Sequence, residues 1–248
     1  MREFDDVELW RVSAFQRLQR SPGESAYTRL DETAVLSTSL MADLNALRQD
    51  ALQGDALEVM AACVRHSEPT LLYFQYEAVV WPLTLFPSER LYHSPRDLAQ
   101  ACASGLASLR FLRAEPPGVR APGNSQRERV MPAHQYRPLV PLLRTLALQG
   151  PRKTPLSALK TKTSVRLNPG AVLKNLGLQG AMGSAAERLR RESVDLREIA
   201  AWPGMNAERA SRLVNALYLS GELIGGSQPG RPEVKLGERL LSWARTRV

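Results

Sequence analysis

The spacing of apolar residues changes once in the first third of the chain, and the change separates helix from strand. Leu36, Leu40, Leu44 and Leu47 recur at three and four residues, which lines up one helix face, so residues 33–66 read as helical. Asp55 stands at the N-cap of a second helix, ahead of Leu57, Val59, Met60 and Val64. From residue 70 the chain turns β-branched and aromatic. Thr70 to Phe74 and Ala78 to Phe86 are separated only by Gln75, Tyr76 and Glu77, which predicts an antiparallel hairpin. Pro82 cannot donate to a ladder and belongs on an edge or at a bulge. Arg90 to His93 reads as a third strand, Ser94 as the cap of a helix over 95–103, and Leu106 to Arg113 as a fourth strand.

Glu115 to Gln126 breaks this pattern with Pro116, Pro117, Gly118, Pro122 and Gly123, the composition of a linker. Leu139, Leu142, Leu143 and Leu146 then predict a helix over about 137–149 that ends at Gly150. Ser164 to Leu167 reads as a short strand stopped by Asn168, Pro169 and Gly170, inside a stretch, 151–180, that is otherwise ambiguous.

The last 65 residues carry the most specific pattern. Ser184 to Glu192 reads as a helix. Asp195 caps a second, with Leu196, Ile199 and Ala200 on one face, ended by Pro203 and Gly204. Asn206 caps a third, whose inward face is Ala210, Leu213, Val214 and Leu217, and Gly221 ends it. Leu223 and Ile224, then Val234 to Leu236, read as two short strands around a Gly/Pro-rich tip, with a final helix over about 237–246. This order resembles a winged helix-turn-helix domain. The resemblance implies that the outward residues of the third helix, Arg209, Ser211, Arg212 and Asn215, meet DNA bases. It further implies that Arg197, Arg231 and Lys235 meet the backbone or the minor groove. Glu208 and Arg212, four residues apart, can instead pair with each other on a solvated face. The order of elements in the front region is loosely similar to roadblock-like or profilin-like adaptor domains.

Charge reinforces the division. Residues 1–113 hold 11 Lys/Arg against 15 Asp/Glu, a net −4, while residues 114–248 hold 22 against 10, a net +12. Between Glu128 and Glu187 there is no acid, but there are nine cations: Arg129, Arg137, Arg144, Arg152, Lys153, Lys160, Lys162, Arg166 and Lys174. Such a stretch attracts polyanions by replacing the counterions of phosphates.

Catalytic signatures are lacking: there is no GxSxG elbow, no Walker A loop and no HExxH pair. Cys63 and His66 have the spacing of two ligands on a helix, but no second pair completes a metal site, so Cys63 and Cys102 read as buried core thiols of a reducing compartment. His93 reads as a strand-end histidine, and Trp81, Tyr73, Phe74 and Tyr92 as core. Gly177, Gly180 and Gly183 suit a loop before a helix. The N-terminus lacks the apolar region of a signal peptide and no run of about 18 apolar residues occurs, so a cytoplasmic protein with no membrane segment is expected.

The expected fold class is α+β: a small α+β domain with an antiparallel sheet over 1–114, a linker over 115–133, a basic helical or irregular region over 134–183, and a winged helix over 184–248. The expected function is non-enzymatic binding of double-stranded DNA, as in transcriptional regulation, without cofactor or metal. A protein partner or a second copy would meet the N-terminal domain. The alternative is a protein-interaction adaptor that uses the winged helix as a docking module.

Overall fold

The computed structural model describes residues 9–19, 30, 35–49, 55–98, 109–126, 128–172 and 176–226. In chain order the elements are β1 (Trp10–Arg11), α1 (Val12–Gln19), α2 (Thr38–Gln49), α3 (Ala56–His66), β2 (Thr70–Tyr76), β3 (Val79–Phe86), β4 (Leu91–His93) and β5 (Arg110–Glu115). They are followed by β6 (Tyr136–Pro138), α4 (Leu139–Gln149), α5 (Ser157–Lys160), β7 (Ser164–Leu167), α6 (Gly180–Leu189), α7 (Leu196–Ala201), α8 (Ala207–Leu219) and β8 (Leu223–Gly226). The architecture is mixed α+β, with one antiparallel sheet of six strands in the order β5-β2-β3-β4-β6, β1 also pairing with β3, and a two-stranded ribbon of β7 and β8.

The β2–β3 hairpin forms as expected, with Thr70 opposite Leu85 and Tyr76 opposite Val79; Glu77, at φ 51°, takes the left-handed conformation of its tight turn. Pro82 lies on β3 between the stretch that pairs with β1 (Val79, Val80) and the stretch that pairs with β4 (Thr84 to Phe86). That gap on the outer edge asks no ladder bond of a residue without an N–H. Both faces of the hairpin are covered, so its sequence is a continuous apolar run and does not alternate. Leu72, Phe74, Trp81, Leu83 and Leu85 belong to the core formed with α2 and α3. Leu71, Tyr73 and Val80, at the alternate positions, pack against Phe15 of α1.

Asp55 caps α3 as expected, its Oδ1 accepting the Leu57 and Glu58 N–H groups at 3.0 and 3.3 Å. The fourth strand begins and ends later than expected, at Arg110–Glu115, because its partner β2 extends the ladder as far as Leu71 opposite Glu115. The proline-rich segment after it is packed, not a free tether. Val119 is 1% exposed and sits with Phe86 and Ala121, and the Tyr136 hydroxyl donates to the Arg120 carbonyl. The expected helix over 95–103 lies mostly outside the described residues.

The main apolar core crosses from the front of the chain to the back without a break. It includes Leu40, Met60 and Phe74, then Leu142, Leu143 and Leu146 of α4, then Leu189, Ile199, Leu213 and Leu217. α4 is the link, because its apolar stripe is filled on one side by α3 and on the other by α8.

Candidate nucleic-acid interface

α7 and α8 follow the boundaries that their caps predict, whereas α6 runs from Gly180 to Leu189, starting four residues before Ser184 and ending three before Glu192. Asp195 accepts the Glu198 N–H at 2.8 Å and Asn206 accepts the Arg209 N–H at 2.8 Å, each satisfying an orphan donor of a first turn. Gly204 takes φ +73° in the turn between α7 and α8, and a Cβ there would stand 2.8 Å from the Ala181 Cβ. Glycine thus permits both the turn and the close approach of α6. Ile199, Ala210, Leu213 and Leu217 are all fully buried, as their spacing predicts. Trp202 closes the bundle beneath Arg188, whose guanidinium lies 4.5 Å from the ring centre.

The other face of α8 departs from expectation. Ser211 is 3% exposed and donates to the Ala207 carbonyl at 2.7 Å. Asn215 is fully buried; its Oδ1 accepts the Leu156 N–H at 2.9 Å and its Nδ2 donates to the Thr154 carbonyl at 3.0 Å. Arg212 keeps 13% of its side chain exposed, donating to Glu208 Oε1 at 3.1 Å and to the Leu148 carbonyl at 2.7 Å. These three residues cannot present their polar groups to a base edge, because α4 and the loop after it already occupy that face. The reason is geometric: Ser211, Asn215 and Leu219 recur every four residues, and Leu219 is 5% exposed, so the stripe read as outward is a second buried one. Leu219 was the signal in the sequence.

Of the remaining predicted contacts, Arg197 and Arg209 are exposed. Arg209 donates to the Gly204 carbonyl, which holds it at the entrance of α8. Arg231 and Lys235, the expected second strand of the wing, its tip and the final helix lie outside the described residues. The strand expected after α8 is present as β8, paired with β7 through Ser164–Gly226, Val165–Gly225, Arg166–Ile224 and Leu167–Leu223. β7 also meets the three-helix unit through a β-bridge, Val165 to Val194.

Four arginines lie within four residues of the ends of that bridge, in a segment that also carries Glu187, Glu192, Asp195 and Glu198. Arg166, Arg190, Arg191 and Arg197 are exposed, and Arg166 Nη2 donates to the Arg190 carbonyl at 3.4 Å. Arg190 lies 3.5 Å from Glu187, whereas the side chains of Arg191 and Arg197 make no hydrogen bond or ion pair with a described residue. Sequence reading gave Arg166 only as part of a basic stretch and passed over Arg190 and Arg191. Their common position depends on a β-bridge between residues 29 apart. In the first turn of α8, Arg212 and Lys153 face Glu208, and the hydrogen bond from Arg212 holds its carboxyl below the ordinary value.

Not all of the basic stretch is available to a ligand. Arg152 is 5% exposed. It pairs with Asp55 and with Glu58 Oε2 at 2.8 Å, so part of the charge asymmetry between the two halves is settled inside the molecule. Arg137 donates to the Ser94 carbonyl at 3.2 Å. His93 ends β4, the strand-end position that was expected, and is 3% exposed with its Nε2 2.8 Å from Gln135 Oε1. Cys63 is buried, and His66 turns instead to Asp43, at 2.8 Å. Among the described residues no group of three side chains suits a metal ion, and no helix is long and apolar enough to cross a membrane. No family model, curated protein or solved structure matches the chain.

Proposed function

We propose that the chain is a DNA-binding protein whose C-terminal quarter is a winged helix-turn-helix unit and which serves in transcriptional regulation. The observation that carries this reading is the Val165–Val194 bridge, which brings exposed Arg166 of the acid-free stretch to the segment that holds exposed Arg190, Arg191 and Arg197. Several cations on one surface neutralise several phosphates, and each neutralised phosphate releases counterions. Arg209, at the first turn of α8, adds a contact at the end of the helix-turn-helix pair, the end from which such helices approach bases. The contact surface is therefore the end of the α7–α8 pair together with β7, not the flank of α8.

The test is fluorescence anisotropy of a labelled duplex with the full-length protein at low and high salt. Binding that falls steeply with salt supports the reading, and no binding at about 50 mM salt, where electrostatic association is strongest, sinks it. The alternative reading is an adaptor that uses the winged helix for docking. Retention of a protein partner together with absence of DNA binding would select it.

A further inference from the structure

One large apolar side chain stands on the outer face of the β7–β8 ribbon, directly opposite an arginine. Ile224 is 51% exposed and pairs across the ribbon with Arg166. Directly opposed residues of an antiparallel pair share a face, so the two project together. Ser164 and Gly226, two positions along, lie on the same face, while Val165 and Leu167 turn inward and are buried. Gly226 keeps that face low: a Cβ there would come within 2.6 Å of Ser164 Oγ. The ribbon is braced at its ends, where the Thr163 N–H donates to the Gly226 carbonyl at 3.2 Å and the Asn168 N–H to the Glu222 carbonyl at 2.8 Å.

An isoleucine set beside arginines suits a partner that offers apolar surface between rows of phosphates. Duplex DNA does so, with base edges, thymine methyl groups and sugars lying between its backbones. The B-form major groove, about 12 Å wide, admits a two-stranded ribbon, whereas the A-form major groove of duplex RNA is too deep and narrow to be read. Positive charge alone would not distinguish the two.

We propose that the β7–β8 ribbon is the groove-entering element, with Arg166 on the phosphate backbone and Ile224 as the apolar contact inside the groove of B-form DNA. This rests on the DNA-binding reading above and names the element and the form of nucleic acid. Neither side chain is part of the core, so substitution leaves the fold in place, and Ile224→Thr keeps the β-branched shape that suits a strand. The experiment measures the affinity of full-length protein for a labelled DNA duplex across a salt series, and for an RNA duplex of the same sequence. Thermal unfolding of each variant serves as the folding control. Arg166→Ala should weaken binding and reduce the magnitude of the salt slope by about 1. Ile224→Thr should weaken binding by about 5- to 10-fold with the slope unchanged, because an apolar contact releases no counterions. The RNA duplex should bind at least about tenfold more weakly. If the wild-type protein binds DNA and both variants bind equally well, the ribbon is not the contact while the DNA reading stands. Equal affinity for RNA also overturns groove entry. If the wild-type protein binds neither duplex, both readings fall together.

Discussion

Asn215 Oδ1 accepts the Leu156 N–H at 2.9 Å, and the same amide donates to the Thr154 carbonyl at 3.0 Å. A side chain with the chemistry to read adenine is thus used to hold a loop of its own chain. The loop contains two prolines, Pro151 and Pro155, and builds no ladder through residues 151–156, so its buried backbone groups depend on side chains for partners. Asn215 meets one donor and one acceptor at once, which few residue types can do.

Substitution of Asn215 therefore separates structure from recognition. Asn215→Ala leaves the buried Leu156 N–H without its partner, at a cost of about 1–3 kcal/mol where no water replaces the amide, while the Thr154 carbonyl keeps the bond from Arg152 Nε. Asn215→Asp offers no donor to Thr154 and brings a charge into the core. Both should lower the urea midpoint, while DNA affinity per folded molecule stays at the wild-type value. A loss of affinity with an unchanged urea midpoint would return Asn215 to the recognition surface.

Arg152 gives the second prediction. Its guanidinium is nearly fully buried between Asp55, Glu58 and the Thr154 and Pro155 carbonyls, and Glu58 also accepts the Ser157 N–H at 3.1 Å. Removing one member of a buried ion cluster strands the others, typically at about 3–5 kcal/mol, more than the pair contributes against an apolar replacement. Arg152→Ala should thus destabilise severely in urea denaturation, and Arg152→Met less so only when combined with Glu58→Met. Equal stability of Arg152→Ala and wild type would show that the cluster holds nothing.

These two residues mark where sequence reading runs out. The caps Asp55, Asp195 and Asn206, the β2–β3 hairpin and the glycine turn at Gly204 were legible, because each is decided by residues within a few positions. The pairing of Arg152 with Asp55 spans 97 residues, and no local pattern distinguishes an arginine destined for a buried carboxylate from one destined for phosphate. β6 was missed for the same reason: three residues ending in proline signal little until β4 supplies a partner. The burial of Ser211 and Asn215 followed from α4, whose leucines were read as one helix face without a surface assigned to receive them.

Cys63 is a direct probe of the core. It is fully buried, and burial pushes its thiol up to about 12, so almost no thiolate exists near neutral pH. Iodoacetamide at pH 8 should leave the Cys63-containing peptide unmodified in the folded protein and modify it after denaturation, as read by mass spectrometry. Rapid native labelling would mean that α3 opens readily.

The Asp43 cluster predicts a pH dependence. The hydrogen bond from His66, and then that from Arg65, hold the Asp43 carboxyl below its ordinary value of 3.8. A carboxylate whose folded pKa is depressed stabilises the fold above its unfolded pKa and loses that contribution as pH falls through the folded one. The wild-type advantage over Asp43→Asn should accordingly be present at pH 6 and vanish as pH drops below about 4. It should stay within about 1 kcal/mol, because the group is partly exposed and screened. An advantage that persists unchanged at pH 2.5 would show that the ion pair is not its source.

If the proposed DNA binding holds, the exposed arginines of the α7–α8 pair are the ones that touch DNA. Arg197 and Arg209 are exposed, whereas Arg212 is committed to Glu208 and to the C-terminal carbonyl of Leu148 on α4. The double variant Arg197→Ala, Arg209→Ala removes two cations from the surface and disturbs no buried group. It should leave thermal stability nearly unchanged, weaken duplex binding, and reduce the magnitude of the salt slope by about 2 when both residues contact phosphate. Arg212→Ala should do the reverse, lowering stability through the lost bond to α4 while the salt slope remains. Should Arg212→Ala lower the slope and the double variant leave it alone, α8 would have to leave α4 in order to bind, and the packing seen in the free protein would not be that of the DNA-bound one.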